Sequence, residues 1–220
     1  MQSADPTTEA RALTAARGFM MTLPDVEPGT LAHCSMHWAA MPYGWALDRA
    51  EQGLPLPYQV VADREGAGLE VLVAGMNPAL NAGRLSLEMP AGVDYCASVR
   101  GRNSHGVAVS ISAMAGAEPR AFGDAPIDAA LVEFMCAAAG ALCAKYGIDA
   151  RSQSACYTHA EAAIWDDYFL GDDPDPRWDL AILEPTDLGP AALKAITTQT
   201  GDRLRARVHA YQIALGAGGV

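Results

Sequence analysis

The chain of 220 residues is poor in positive charge: 15 Lys and Arg side chains stand against 26 Asp and Glu, a formal net charge of −11 at pH 7. Nucleic-acid binding depends on clustered Lys and Arg that neutralise phosphates, so we expect no nucleic-acid partner. No apolar run approaches the roughly 18 residues that a membrane-spanning helix needs, and we expect no membrane insertion. With 50% apolar and 19% charged residues, the composition predicts a folded chain with a buried core.

Cysteine is also scarce, and the five cysteines show no Cys-x-x-Cys spacing. An odd number without such spacing does not indicate a disulfide framework, so we predict reduced thiols. The opening MQSADPTTEA is acidic where a secretion signal is basic. The first apolar run, residues 18–23, is shorter than the ~7–15-residue core of a signal peptide. We therefore expect a protein that starts in the cytoplasm.

Apolar periodicity divides the chain into an N-terminal extension (1–28), a main domain (29–185) and a C-terminal helical element (186–220). Helices are predicted at 8–21, 126–146, 190–198 and 202–215, strands at 29–39, 58–62, 69–74 and 107–112, and a short strand or loop at 155–159. The extension is expected to pack loosely on the domain. The mixture of elements predicts an α/β fold with one central sheet and helices on its faces.

Among only five histidines, His37 and His159 combine with Asp179 into a set of two imidazoles and one carboxylate. Three such ligands with a fourth position open for water are typical of catalytic zinc. Zinc lowers the pKa of that water to roughly 7 and polarises a bound carbonyl. The three residues are far apart in the chain, so their spacing alone does not indicate a metal site. The alternative is that both histidines are partly buried and hydrogen-bond to the backbone without binding metal.

The order of several short segments adds a family resemblance. The segments are HWAA (37–40), a strand from Tyr58 that turns at DREG (63–66), RNSHGVAVSIS (102–112), THAE (158–161) and RWDLAIL (177–183). This series resembles the zinc-dependent N-acetylmuramoyl-L-alanine amidases, the superfamily that includes phage lysozyme-type amidases and peptidoglycan recognition proteins. The resemblance implies a mixed sheet flanked by helices, one Zn²⁺ ion, and hydrolysis of the amide between N-acetylmuramic acid and L-alanine in peptidoglycan.

Carried over position by position, the resemblance implies that His37, His159 and Asp179 bind zinc. Arg177 stands where relatives usually have lysine. With Tyr58, it would stabilise the oxyanion of the tetrahedral intermediate.

The general base stays open, because the segment VAVSIS lacks the glutamate that some family members use, and Gln59 replaces a histidine that often follows the tyrosine. Glu161 is the carboxylate nearest to a proposed ligand. It is predicted to act as a proton shuttle or to orient an imidazole. Trp38, Asn103 and His105 are the predicted substrate contacts, Trp38 because aromatic rings stack on sugars and on apolar peptide faces.

Two alternatives concern the ligands. His33 competes with His37, since His33-Cys34-Ser35 also resembles a segment of some phage members. Asp166 or Asp175, in an acidic loop at 166–175, competes with Asp179.

These features predict an endolysin-like cell-wall amidase. It would be either a phage or prophage lysin released through a holin or a cytoplasmic amidase that recycles muropeptides. One alternative is a non-catalytic module that binds peptidoglycan or muropeptides without metal. The other is a zinc peptidase that cuts another cell-wall bond.

Overall fold

A single five-stranded sheet is the centre of the molecule in the computed structural model, which describes residues 4–82, 99, 102–170 and 177–216. The strands are β1 (His33–Met36), β2 (Val60–Asp63), β3 (Val71–Ala74), β4 (Gly106–Ile111) and β5 (Cys156–Thr158), in the order β3-β2-β4-β1-β5. The pairs β2–β4, β4–β1 and β1–β5 are parallel, and the β2–β3 hairpin is antiparallel. The predicted α/β fold with one mixed sheet is thus confirmed at this general level.

The described residues include five α-helices: α1 (Pro6–Thr22), α2 (Trp45–Glu51), α3 (Ala129–Tyr146), α4 (His159–Trp165) and α5 (Pro190–Gly216). Side chains alternate between the two faces of a strand. Accordingly, Val60 and Ala62 of β2 join the main core with α3, whereas Val61 packs with Ala46 of α2 in a smaller cluster. The large helices therefore cover one face of the sheet, and α2 covers part of the other.

Helix α3 matches the sequence prediction at its end and departs from it at its start. It ends at Tyr146, and the next residue, Gly147, has a left-handed φ of 68°, as expected for a glycine stop. It begins three residues after the predicted Pro126, because Asp128 caps the first turn by accepting a hydrogen bond from the Leu131 N–H. By length and composition α3 is the one described helix that is able to span a membrane. It lies mostly buried against the sheet, α1 and α5.

The two ends of the chain pack more closely than the sequence predicts. In α1, Ala12 and Ala16 are fully buried and belong to the main core, so the expectation of a loosely packed segment is wrong. The two predicted C-terminal helices are one continuous α5, because Gly201 continues the helix and its missing side chain leaves room for Glu161.

All four described cysteines, which are Cys34, Cys136, Cys143 and Cys156, are buried free thiols, as predicted. Cys96 lies outside the described residues.

Candidate metal centre

Two neighbouring parallel strands bring the first two candidate ligands together. Met36 is paired with Thr158 in the β1–β5 ladder, so His37 and His159 each follow directly after paired residues. Carboxyl ends of parallel neighbours lie at the same edge of a sheet, where α/β folds place their ligand sites. The 122-residue separation in sequence is thereby reduced to adjacency in space.

Three donor atoms converge at this edge. His37 Nδ1 lies 3.1 Å from His159 Nδ1, and His159 Nδ1 lies 3.2 Å from Asp179 Oδ2. The third separation, His37 Nδ1 to Asp179 Oδ2, is 3.8 Å. The three residues are 1%, 5% and 8% exposed, respectively. Because one donor atom from each lies within 4.8 Å of the other two, this buried group can hold a metal ion.

At His37 and Asp179 the electrostatics favour the protonation states that metal binding requires. Burial lowers the pKa of His37 to about 4, and the nearby carboxylate of Asp179 offsets only part of that effect. Burial would raise the pKa of Asp179, but the two histidines outweigh it and hold that pKa below its usual value. At pH 7 His37 is therefore neutral and Asp179 is ionised, the forms in which both residues ligate metals.

A serine that the sequence analysis did not select orients His37. His37 Nε2 lies 2.9 Å from Ser35 Oγ, which in turn can donate to the Val107 carbonyl at 3.4 Å. In that arrangement Nε2–H donates to Ser35, and the lone pair of Nδ1 faces the cluster. The sequence held a signal for this contact, because Ser35 and His37 are two positions apart in the predicted strand 29–39 and so share a face.

A cavity of about 440 Å³ opens beside the cluster. His159 and Asp179 lie in its wall, together with the predicted catalytic residues Tyr58 and Arg177. The ring of Tyr58 is 5.4 Å from that of His37, centroid to centroid. The cavity therefore leaves the three-donor group accessible from the side that carries a phenol and a guanidinium.

Tryptophans form part of the same wall. Trp38 lines the cavity although it is only 5% exposed, since it packs edge-on against Trp178 with ring centroids 4.6 Å apart. Of the three predicted substrate contacts, Trp38 is the one that the structure brings to the cavity.

The backbone around the cavity adopts left-handed conformations at residues other than glycine. Ala40 and Met114, which line the cavity, have φ of 53° and 69°, and Leu180, next to Asp179, has φ of 63°. Each such residue costs on the order of 1–3 kcal/mol, and such outliers cluster at functional sites. The surrounding fold therefore holds this edge of the sheet in a shape that its local sequence does not favour.

Glu161 does not line the cavity. Its carboxylate accepts hydrogen bonds from Arg205, Gln153 and the Thr158 N–H, and it is 1% exposed. The Glu161 carboxylate therefore bonds these three groups and none of the three donor atoms. Of the two predicted roles, these contacts favour orientation of an imidazole over proton transfer.

Asn103 and His105 lie at the opposite edge of the sheet. They precede β4, whereas His37 follows β1, and these parallel strands are in register with His33 beside Gly106. The four residues of β1 separate the two ends of these strands by roughly 13 Å. His105 Nδ1 instead hydrogen-bonds the Thr30 carbonyl at 3.1 Å. The structure therefore does not bring these two predicted substrate contacts to the metal group.

The rival ligands are also placed elsewhere. His33 lies at the start of β1, where Nε2 contacts the Ser104 carbonyl at 2.8 Å and Nδ1 contacts the Tyr157 hydroxyl at 3.1 Å. Asp166 forms a two-pronged ion pair with Arg102, at 2.5 and 2.7 Å. Asp175 lies outside the described residues. Among the residues that the structure describes, only His37, His159 and Asp179 form a group of three or more potential metal ligands.

No protein-family model, curated protein or solved structure matches this chain. Membership of the amidase superfamily stays a prediction.

Proposed function

We propose that the protein is a zinc-dependent N-acetylmuramoyl-L-alanine amidase that acts on peptidoglycan or on muropeptides. The observation that carries the proposal is the convergence of two imidazole nitrogens and one carboxylate oxygen in the wall of a cavity. Three protein ligands with one open side are typical of catalytic zinc sites, whereas structural sites are closed by a fourth ligand. The donor set fits zinc, although the same donors also suit iron and other transition metals.

The ligands would be His37 and His159 through Nδ1 and Asp179 through Oδ2, the atoms that converge. A zinc ion held there supplies Lewis acidity toward a carbonyl and lowers the pKa of bound water to roughly 7. In this proposal the His37 Nε2–H donates to Ser35 Oγ at 2.9 Å, which leaves Nδ1 unprotonated for the metal.

Two further side chains in the cavity wall complete the proposed chemistry. Arg177 and Tyr58 line the cavity beside the ligands and carry N–H and O–H donors. Donors aimed at the oxygen that becomes negative stabilise the transition state of acyl transfer. In this proposal both groups stabilise the oxyanion that forms when the amide carbonyl is attacked. Glu161 is not used as the proton shuttle, because its carboxylate is bound by Arg205.

The proposal is tested with purified protein on dye-labelled peptidoglycan, with and without a chelator. We expect dye release that the chelator abolishes and that added Zn²⁺ restores. His159→Ala should abolish release, whereas His209→Ala, in α5, should retain it. Mass spectrometry should find stem peptides with a free N-terminal alanine and intact glycan strands.

The other outcomes distinguish the alternatives. Release of fragments cut within the stem peptide would indicate a cell-wall peptidase. Binding of muropeptides without release and without bound metal would indicate a non-catalytic module. Full activity in chelator, or in His159→Ala, would overturn the metal mechanism.

A further inference from the structure

Glu161, two residues after His159, forms a deeply buried ion pair with Arg205. Their side chains are 1% and 4% exposed, and Arg205 Nη1 lies 2.9 and 2.7 Å from the two carboxylate oxygens. Glu161 also forms a capping box with Thr158: the Thr158 N–H donates to the carboxylate, and the Glu161 N–H donates to Thr158 Oγ1. The ion pair therefore fixes the residue at which α4 begins.

Arg205 binds the strand as well as the helix. The same Nη1 donates to the Cys156 carbonyl of β5 at 3.2 Å, while Nη2 contacts Asp202 at 2.5 Å within α5. A Cβ at Gly201 of α5 would collide with the Glu161 carboxylate, so glycine is what allows α5 to approach this closely. One guanidinium of α5 thus joins the end of β5 to the first turn of α4.

His159 lies between the two points that Arg205 holds. Cys156 is three residues before it and Glu161 is two residues after it. The following residue, Ala160, donates its N–H to the carbonyl of Asp179 at 3.1 Å, which ties the same short segment to the third candidate ligand. Any shift of residues 156–161 would therefore move the His159 ring relative to both partners.

We propose that Arg205 and Glu161 are positioning residues for His159, so that α5 helps to set the geometry of the metal centre. The inference rests on the metal site of the proposed function. Partners that orient metal ligands typically change metal affinity 10–100-fold when they are removed. Here the orienting group does not touch the imidazole but fixes the backbone on either side of it.

A second ion pair of α5 supplies a control, with an arginine that is 34% exposed where Arg205 is 4% exposed. Arg207 contacts Glu133 of α3 at 2.5 Å, and Glu133 is 5% exposed. This pair also joins α5 to the rest of the molecule, but through α3 and not through β5 or α4. Loss of either pair should destabilise the fold, whereas only loss of the first should disturb the metal group.

The experiment compares Arg205→Met and Arg207→Met with the unaltered full chain. Zn²⁺ dissociation constants are measured by competition with a chromophoric chelator, and the Co²⁺-loaded proteins are compared by visible absorption spectra. We expect Arg205→Met to bind Zn²⁺ roughly 10–100-fold more weakly, with an altered Co²⁺ spectrum. Arg207→Met should keep the affinity and the spectrum of the unaltered protein, although both variants melt at lower temperature.

Glu161→Gln provides a second test in case Arg205→Met does not fold. It keeps an oxygen for the Thr158 cap and removes the charge that Arg205 binds, so it should weaken Zn²⁺ binding in the same direction. Unchanged Zn²⁺ affinity and Co²⁺ spectrum in Arg205→Met and Glu161→Gln would overturn the positioning role while leaving the proposed function intact. An equal loss of affinity in Arg207→Met would overturn it too. Absence of Zn²⁺ binding by the unaltered protein would overturn both proposals.

Discussion

The hydroxyl of Ser35 lies 2.9 Å from His37 Nε2 and favours the tautomer that leaves Nδ1 unprotonated. We expect Ser35→Ala to weaken Zn²⁺ binding about tenfold, because the ring loses the acceptor for its Nε2–H and both tautomers become accessible. The dissociation constant for Zn²⁺, measured by chelator competition, checks this prediction.

Ser110 offers a matched control in the adjacent strand β4. Its hydroxyl is equally buried and has no hydrogen-bond partner among the residues described. Ser110→Ala removes an unsatisfied polar atom and should leave Zn²⁺ affinity unchanged, with stability equal or higher. Equal losses of affinity in the two serine variants would contradict the role given to Ser35.

His33 makes the metal-free protein sensitive to mild acid. Burial lowers the pKa of this histidine in the folded protein, whereas the unfolded chain keeps a pKa near 6.5. The unfolded state then binds more protons as the pH falls below about 6.5, so this contribution to stability is present above that pH and is lost below it.

The variant His33→Gln isolates that contribution. Glutamine cannot be protonated but can still donate to the Ser104 carbonyl and accept from the Tyr157 hydroxyl. Between pH 7.5 and 5.5, measured by urea denaturation in chelator, the variant should lose less unfolding free energy than the unaltered protein. Equal losses would show that His33 does not contribute.

At the scale of secondary structure, close approach of α3 and α5 depends on Gly140. A Cβ at this position would lie 2.6 Å from Tyr211 Cβ and 3.0 Å from the Val208 carbonyl oxygen. Gly140→Ala should therefore destabilise the protein by about 1–3 kcal/mol, as overpacked cores do, despite the higher helix propensity of alanine. Chemical denaturation measures the change.

Gly18 of α1 is the comparison for that variant. It is exposed, and a Cβ there would meet nothing within 4 Å. Gly18→Ala should raise stability by up to about 1 kcal/mol, through propensity alone. Destabilisation of similar size in both variants would contradict the packing explanation for Gly140.

The elements that sequence predicted well are those whose signals are local. The apolar periodicity of α3 and its glycine stop at Gly147 lie within one segment of the sequence. The turn between β2 and β3 is likewise a local signal, in the segment DREG (63–66). The boundaries of β1 were predicted too wide, at 29–39 against His33–Met36, because only the residues that find partners in β4 and β5 become strand. Pairing between distant segments has no local signature.

The same distinction applies to the site. Residue chemistry and segment order selected His37, His159 and Asp179, which the fold brings together. Asn103 and His105 belong to a segment that resembles the family, but they precede β4 at the other edge of the sheet. Arg205 was not selected, because its relation to His159 exists only after α5 has packed on β5 and α4.

For the molecule as a whole, metal binding should raise thermal stability. Zn²⁺ at 100 times its dissociation constant stabilises a protein that binds it only when folded by about 2.7 kcal/mol. A chain of this size melts roughly 2–4 °C higher per kcal/mol, so the expected increase is roughly 5–11 °C. Differential scanning calorimetry with and without Zn²⁺ measures it. Asp179→Asn, which retains shape and loses the anionic ligand, should show a much smaller increase.

The sheet order places β1, near the start of the chain, between β4 and β5, two strands that are synthesised much later. Contacts of such large sequence separation slow folding, because the chain loses the entropy of closing long loops before the strand contacts stabilise it. A nascent chain that has not yet passed residue 158 leaves one side of β1 uncovered. The candidate metal group is consequently complete only after residue 179 has been synthesised, and a chain interrupted before that point lacks the third donor.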